Sequence, residues 1–137
     1  MITDVPEELM LQRYLADFVA TASPGQRLLL LFDYLRRDLV AGAEGFEVGD
    51  LKKVSDHLVH AQHIVFALRD PLDRDSILGK SLAGVYDFCL QELIECNLHK
   101  QRERIAPVQE LIERIAAANR QAVAATSAPT NQVAASA

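Results

Sequence analysis

Apolar side chains recur along most of the chain at intervals of three and four residues, which is the spacing of an amphipathic α-helix. We find no convincing stretch in which apolar and polar residues alternate, as they would along a half-buried strand. Glycine and proline interrupt the helical pattern in only two central stretches. The pattern therefore predicts an all-α chain.

Five helical segments follow from this pattern. They are predicted at residues 7–19, 24 to about 44, 51 to about 69, 76 to about 100 and 101 to about 120. Ser23 suits the N-cap of the second helix and Pro24 its first position, and both are expected to fix its start. Gly42, Gly45 and Gly49 are expected to mark its fraying end.

Helices of about twenty residues with short connections pack most simply as an antiparallel, up-and-down four-helix bundle. The short N-terminal helix would then lie against this bundle as an additional element. Residues 122–137 are small and polar with little to bury, so we expect a disordered tail. A single domain over residues 1–121 is predicted, since 137 residues, half of them apolar, can build one core.

Composition narrows the possible partners and compartment. A net charge of −5 argues against nucleic acid or anionic lipid as a partner, because such binding needs clustered lysine and arginine. The longest apolar run, at residues 28–32, is too short to span a membrane, and the N-terminus lacks a signal-peptide pattern. We therefore expect a cytoplasmic protein without membrane insertion.

The sequence offers few candidates for metal-binding or reactive side chains. His57, His60 and His63 follow one another at steps of three, but such steps drift around a helix and do not converge easily on one metal ion. Cys89 and Cys96 are seven residues apart on one predicted helix, about 10 Å at 1.5 Å per residue, which is too far for a disulfide. No catalytic residue, metal site or cofactor is predicted.

Surplus apolar surface is the most informative remaining feature. A second apolar stripe, consisting of Tyr86, Leu90, Ile94 and Leu98, makes the fourth predicted helix apolar over more than half of its circumference. The N-terminal and fifth helices could cover this surface. Alternatively, it forms a groove that receives an amphipathic segment of another protein.

Three blocks of sequence are similar to one known family. YLADFVATASPGQRLLLLFD, at residues 14–33, resembles the signature of the flagellar secretion chaperone FliS family, with its Val-x-Thr-Ala-Ser-Pro and leucine-rich run. HAQHIVFALRDPLD and LAGVYDFCLQELIECNL resemble two further family blocks in the same order. The chain departs from the family pattern in having Arg27 for an apolar residue, Tyr34 for glycine and Cys96 for alanine, and its connector after Asp73 is shorter.

This resemblance implies a cytosolic chaperone without enzymatic activity that binds the C-terminal segment of flagellin. It would prevent premature polymerisation and keep flagellin competent for type III export. The residues expected to bind or support this client are Leu11, Tyr14, Leu28, Phe32, Tyr86, Leu90 and Asn97. Leu11 and Tyr14 are expected to form a lid over the client groove. Tyr86 fits a core position equally well, and Asn97 fits a bridge between helices better than a client contact.

Other interpretations of the function stay open at this point. A homo-oligomeric structural or adaptor bundle, or a weak homodimer, would bury the same apolar surface against another copy of the chain. A ligand-binding or metal-binding bundle would need inward-facing polar groups. Further partners, such as an anti-sigma factor or another export component, are compatible with the family resemblance.

Overall fold

The computed structural model describes Arg13 and residues 23–127. Four α-helices and one short 3-10 turn make up this part of the chain, namely α1 (Pro24–Val48), α2 (Leu51–Arg69), α3 (Ile77–His99), the turn Arg102–Arg104 and α4 (Ile105–Ser127). None of the described residues forms a strand, so the all-α prediction is confirmed here. The predicted N-terminal helix at residues 7–19 lies outside the described residues except for Arg13, which is helical.

Helix α1 begins where the sequence predicts. The Ser23 hydroxyl accepts a hydrogen bond from the backbone N–H of Gln26 at 3.2 Å, and the Ser23 N–H donates to the Gln26 side chain at 3.0 Å. This reciprocal capping box satisfies two backbone donors that a helix N-terminus otherwise leaves unpaired. Pro24 occupies the first turn, where its missing N–H costs nothing.

The predicted end of this helix at about residue 44 is wrong, because α1 continues through Val48. Gly42 and Gly45 are buried inside the helix and do not fray it. A Cβ on Gly42 would stand 3.2 Å from Leu58 Cδ2, so the missing side chain lets α2 approach closely. Only Gly49 terminates the helix, in the left-handed conformation with φ of 71°.

The last helix is longer than predicted. Helix α4 reaches Ser127, six residues into the stretch expected to be a disordered tail, and residues 128–137 lie outside the described part. Val123 lies so close to α1 that a Cβ on Gly25 would stand 2.6 Å from its Cγ2. The side-chain amide of Asn119 also donates to the Gly25 carbonyl at 3.3 Å. These contacts with α1 explain why the helix continues past residue 120.

The four helices enclose one apolar core in the arrangement of a four-helix bundle. Helix α1 packs against α2 and α4, and α3 packs against the same two helices. Leu35, Leu58, Leu93 and Ile112, one from each helix, are fully buried in this core. None of the helices in residues 23–127 is long and apolar enough to cross a membrane.

Candidate functional site

An apolar groove of about 790 Å³ opens at the end of the bundle where α1 begins. All four helices and the connector between α2 and α3 contribute to its walls. The lining residues are Leu28, Phe32, Leu68, Pro71, Leu72, Leu78, Leu82, Val85, Tyr86, Leu111, Arg114, Ile115, Ala118 and Asn119. All of them are apolar except Tyr86, Arg114 and Asn119.

Helical spacing brings these residues to one place. Leu28 and Phe32 are four residues apart on α1, and Leu78 and Leu82 are four apart on α3. Residues at this separation lie above one another on the same helix face. Helices α1 and α3 therefore each present a short apolar stripe towards the groove, whereas α2 contributes Leu68 alone.

The groove leaves much apolar surface in contact with solvent. Leu78 retains 69% of its surface exposed, while Leu28 and Leu82 are half-buried and pack against the core on their inner side. Full burial of a leucine side chain contributes about 1.5–3 kcal/mol. An apolar occupant of the groove would gain part of this energy at several positions.

Three of the predicted client residues meet in this groove. Leu28, Phe32 and Tyr86 line it together, with Phe32 and Tyr86 buried as its floor. Burial raises the pKa of the Tyr86 phenol to about 12, so this side chain is uncharged at neutral pH. Tyr86 thus belongs both to the core and to the floor of the groove.

The other predicted client residues lie elsewhere or outside the described chain. Leu90 is a buried core residue and does not line the groove. Leu11 and Tyr14 lie outside the described residues. Their predicted roles stay predictions.

Asn97 also lies outside the groove lining and joins two helices. Its Oδ1 accepts hydrogen bonds from the Ser55 hydroxyl on α2, at 3.1 Å, and from the Lys100 ammonium group. The Lys100 ammonium group also donates to the Ser55 hydroxyl at 2.9 Å. This network bridges the start of α2 and the end of α3. Asn97 therefore has the helix-bridging position that the sequence favoured over a client contact.

Sequence reasoning did not select most of the groove. The lining residues outside the set that the sequence predicts to bind the client include Pro71, Leu72, Leu78, Leu82 and Val85. The second apolar stripe of α3 indicated surplus apolar surface, but of its four residues only Tyr86 lines the groove. Which residues face the groove depends on how the helices pack.

Two histidines of α2 bond to a buried aspartate of α1. The imidazoles of His57 and His60 both donate from Nδ1 to the carboxylate of Asp38 on α1, the first at 2.9 Å. Asp38 is the buried acidic residue of α1, and these two bonds give each of its oxygens a partner. Within the described residues, no group of three or more His, Cys, Asp or Glu side chains is arranged to hold a metal ion.

Comparison with known proteins agrees with the family resemblance of the three sequence blocks. A family model described as "Flagellar protein FliS" matches residues 8–126. A protein from Bacillus subtilis (strain 168) described as "Flagellar secretion chaperone FliS" is 26% identical over 110 residues, which cover 80% of this chain and 83% of that protein. A protein of the same description from Salmonella typhimurium (strain LT2) is 30% identical over 106 residues, covering 75% of this chain and 78% of the relative.

Proposed function

Since this chain belongs to the FliS family of flagellar secretion chaperones, we propose that it binds the C-terminal segment of flagellin in the apolar groove. Binding would prevent premature polymerisation in the cytoplasm and keep flagellin competent for type III export. The partners are flagellin and, beyond it, other proteins of flagellar export. The role is one of binding, with no catalytic step and no cofactor.

The observation that carries this proposal is the open apolar groove formed by all four helices. An amphipathic segment places its apolar face into such a groove and leaves its polar face in water. A client that is disordered before binding pays an ordering cost, which limits affinity and keeps the complex releasable. Both properties suit a chaperone that must hand its client to an export apparatus.

The proposal includes a lid formed by the N-terminal segment. Leu28 lines the groove only five residues after Ser23, so the N-terminus of α1 lies close to the groove. The segment carries Leu11 and Tyr14 at helical spacing, and this apolar stripe suits the groove in the absence of a client. Client and lid would then compete for the same apolar surface.

An antiparallel, up-and-down order of the helices is part of the proposal. Ser55 near the start of α2 bonds Asn97 near the end of α3, whereas Arg69 at the end of α2 pairs with Asp87 further back in α3. Residue numbers thus rise along one helix as they fall along the other. This register supports opposite directions for the two helices.

Co-purification tests the client assignment. The full chain is mixed with full-length flagellin and, separately, with flagellin lacking its C-terminal segment, and each mixture is separated by size-exclusion chromatography. We expect a complex with full-length flagellin only. Equal binding of both forms, or binding of neither, would contradict the proposal.

Sedimentation at several protein concentrations separates this function from that of a homo-oligomeric bundle. A flagellin chaperone is expected to form a complex whose size changes when the client is added. Self-association that rises with concentration and ignores flagellin would favour the structural alternative.

A further inference from the structure

Arg114 carries the formal charge in the lining of the groove. It stands on α4 with Leu111 about one turn before it and Ala118 about one turn after it, and both of these line the groove as well. Arg114 is itself exposed, so its guanidinium stands at the edge of the groove, beside this apolar stripe. A bound segment would meet it at the border of its own apolar contact face.

No described residue forms an ion pair or hydrogen bond with the Arg114 guanidinium. Glu113, the adjacent carboxylate in sequence, is engaged instead by Arg36 at 3.0 Å and by Arg120 at 3.3 Å. Arg69 and Arg104 likewise pair with carboxylates of other residues. The donors of Arg114 at the groove edge are thus available to a bound segment, whereas those of Arg69 and Arg104 are engaged within the chain.

We propose, on the basis of the proposed function, that Arg114 pairs with an aspartate or glutamate of the bound segment and thereby sets its register. Apolar contacts are non-directional and discriminate weakly between positions of a helix in a groove. An arginine forms two parallel hydrogen bonds with a carboxylate and needs defined geometry to do so. The groove therefore selects an amphipathic segment with one acidic residue at the border of its apolar face.

The same arrangement excludes other segments. A basic residue facing Arg114 would bring two like charges together where bound apolar side chains reduce access to water. Specificity then comes from repulsion of wrong registers as well as attraction of the right one. Arg114 is on this basis a specificity-determining residue of the chaperone.

Calorimetric titration of the full-length chain with the flagellin C-terminal segment tests the pairing. Arg114→Glu and the uncharged Arg114→Gln are compared with Arg120→Glu, which makes the same charge change on the same helix outside the groove lining. We expect Arg114→Glu to weaken binding by about tenfold or more and Arg114→Gln by less. Arg120→Glu should stay within about twofold of the unmodified chain, as is usual for charges that do not touch the partner.

A charge-swap series identifies the acidic residue of the client. Each aspartate and glutamate of the segment is replaced by lysine in turn, and each peptide is titrated against Arg114→Glu. One lysine peptide should recover most of the lost affinity, whereas the others should not. Recovery by none of them would overturn the pairing.

Three further outcomes would also overturn it. Unchanged affinity of Arg114→Glu would show that the charge does not meet the client. Increased affinity would assign the pairing to the acidic N-terminal segment, which contains Asp4, Glu7, Glu8 and Asp17. Lost self-association with unchanged client affinity would assign it to a second copy of the chain. Failure of the unmodified chain to bind the segment would instead refute the proposed function, and the inference with it.

Discussion

Gly45 of α1 lies directly against Val54 of α2. A Cβ at position 45 would stand 2.9 Å from Val54 Cγ2 and 3.1 Å from the Val54 backbone nitrogen. The second of these atoms is backbone and cannot move without shifting the first turn of α2. The absence of a side chain at residue 45 therefore sets how closely the two helices approach.

We expect Gly45→Ala to destabilise the protein by about 1–3 kcal/mol, because an added methyl group overpacks this contact. Gly84→Ala is the matched control, since Gly84 is an exposed glycine of α3 with nothing within 4 Å of its added Cβ. Alanine there should stabilise the helix by about 0.5–1 kcal/mol. Urea unfolding followed by circular dichroism measures both, and a neutral Gly45→Ala would contradict the close-packing argument.

The capping box of α1 provides a second stability prediction. Ser23→Ala removes the hydroxyl that accepts from the Gln26 N–H and should lower the free energy of unfolding by about 1 kcal/mol. Ser23→Asp retains an acceptor and should lose much less. Ser81→Ala changes an exposed serine inside α3 and is expected to stay within about 0.5 kcal/mol. Equal effects of the alanine variants at positions 23 and 81 would refute the capping role.

The accuracy of the sequence predictions depended on whether the signal was local. The start of α1 was predicted correctly because Ser23, Pro24 and Gln26 determine it within a single turn. The end of α1 was not, since a glycine that ends a helix and one that permits close helix packing look alike in sequence. Only the position of Leu58 on the neighbouring helix distinguishes Gly42 from Gly49.

The groove residues could likewise be predicted only in part, because the groove depends on how the helices pack. Phe32 and Tyr86 were predicted to serve the client site, and the structure places both in the groove lining. Leu90 shares the apolar stripe of Tyr86 but is turned into the core. Arg114 gave no signal in the sequence, because only the packing of α4 against its neighbours places a surface-type residue among apolar ones.

The buried thiols predict how stability depends on pH. Burial raises the pKa of both Cys89 and Cys96 from 9.0 to about 11. Between these values the unfolded chain releases protons that the folded chain retains, so the free energy of unfolding should fall as the pH rises above 9. Urea midpoints at pH 7.5 and 10 measure this fall. A Cys89→Ala and Cys96→Ala double variant should show a smaller fall, and an equal fall would contradict the assignment.

The proposed lid predicts a gain of exposed apolar surface when it is weakened. Replacing Leu11 and Tyr14 together by serine should increase the fluorescence of a bound apolar dye and speed association with flagellin. Arg13→Ser is the control, because Arg13 is exposed and lies between the two positions. If the double variant and the control bind the dye equally, the lid does not use these residues.

Two leucines of α3 allow the client groove to be tested without disturbing the core. Leu78 and Leu98 are each 69% exposed, but only Leu78 lines the groove. Serine at either position should leave the free energy of unfolding within about 1 kcal/mol of the unmodified value, since little buried surface is lost. Leu78→Ser should nevertheless weaken binding of the flagellin C-terminal segment by about tenfold, because a bound segment would bury this side chain. Leu98→Ser should leave binding unchanged, and equal losses for the two variants would place the client on another surface of the bundle.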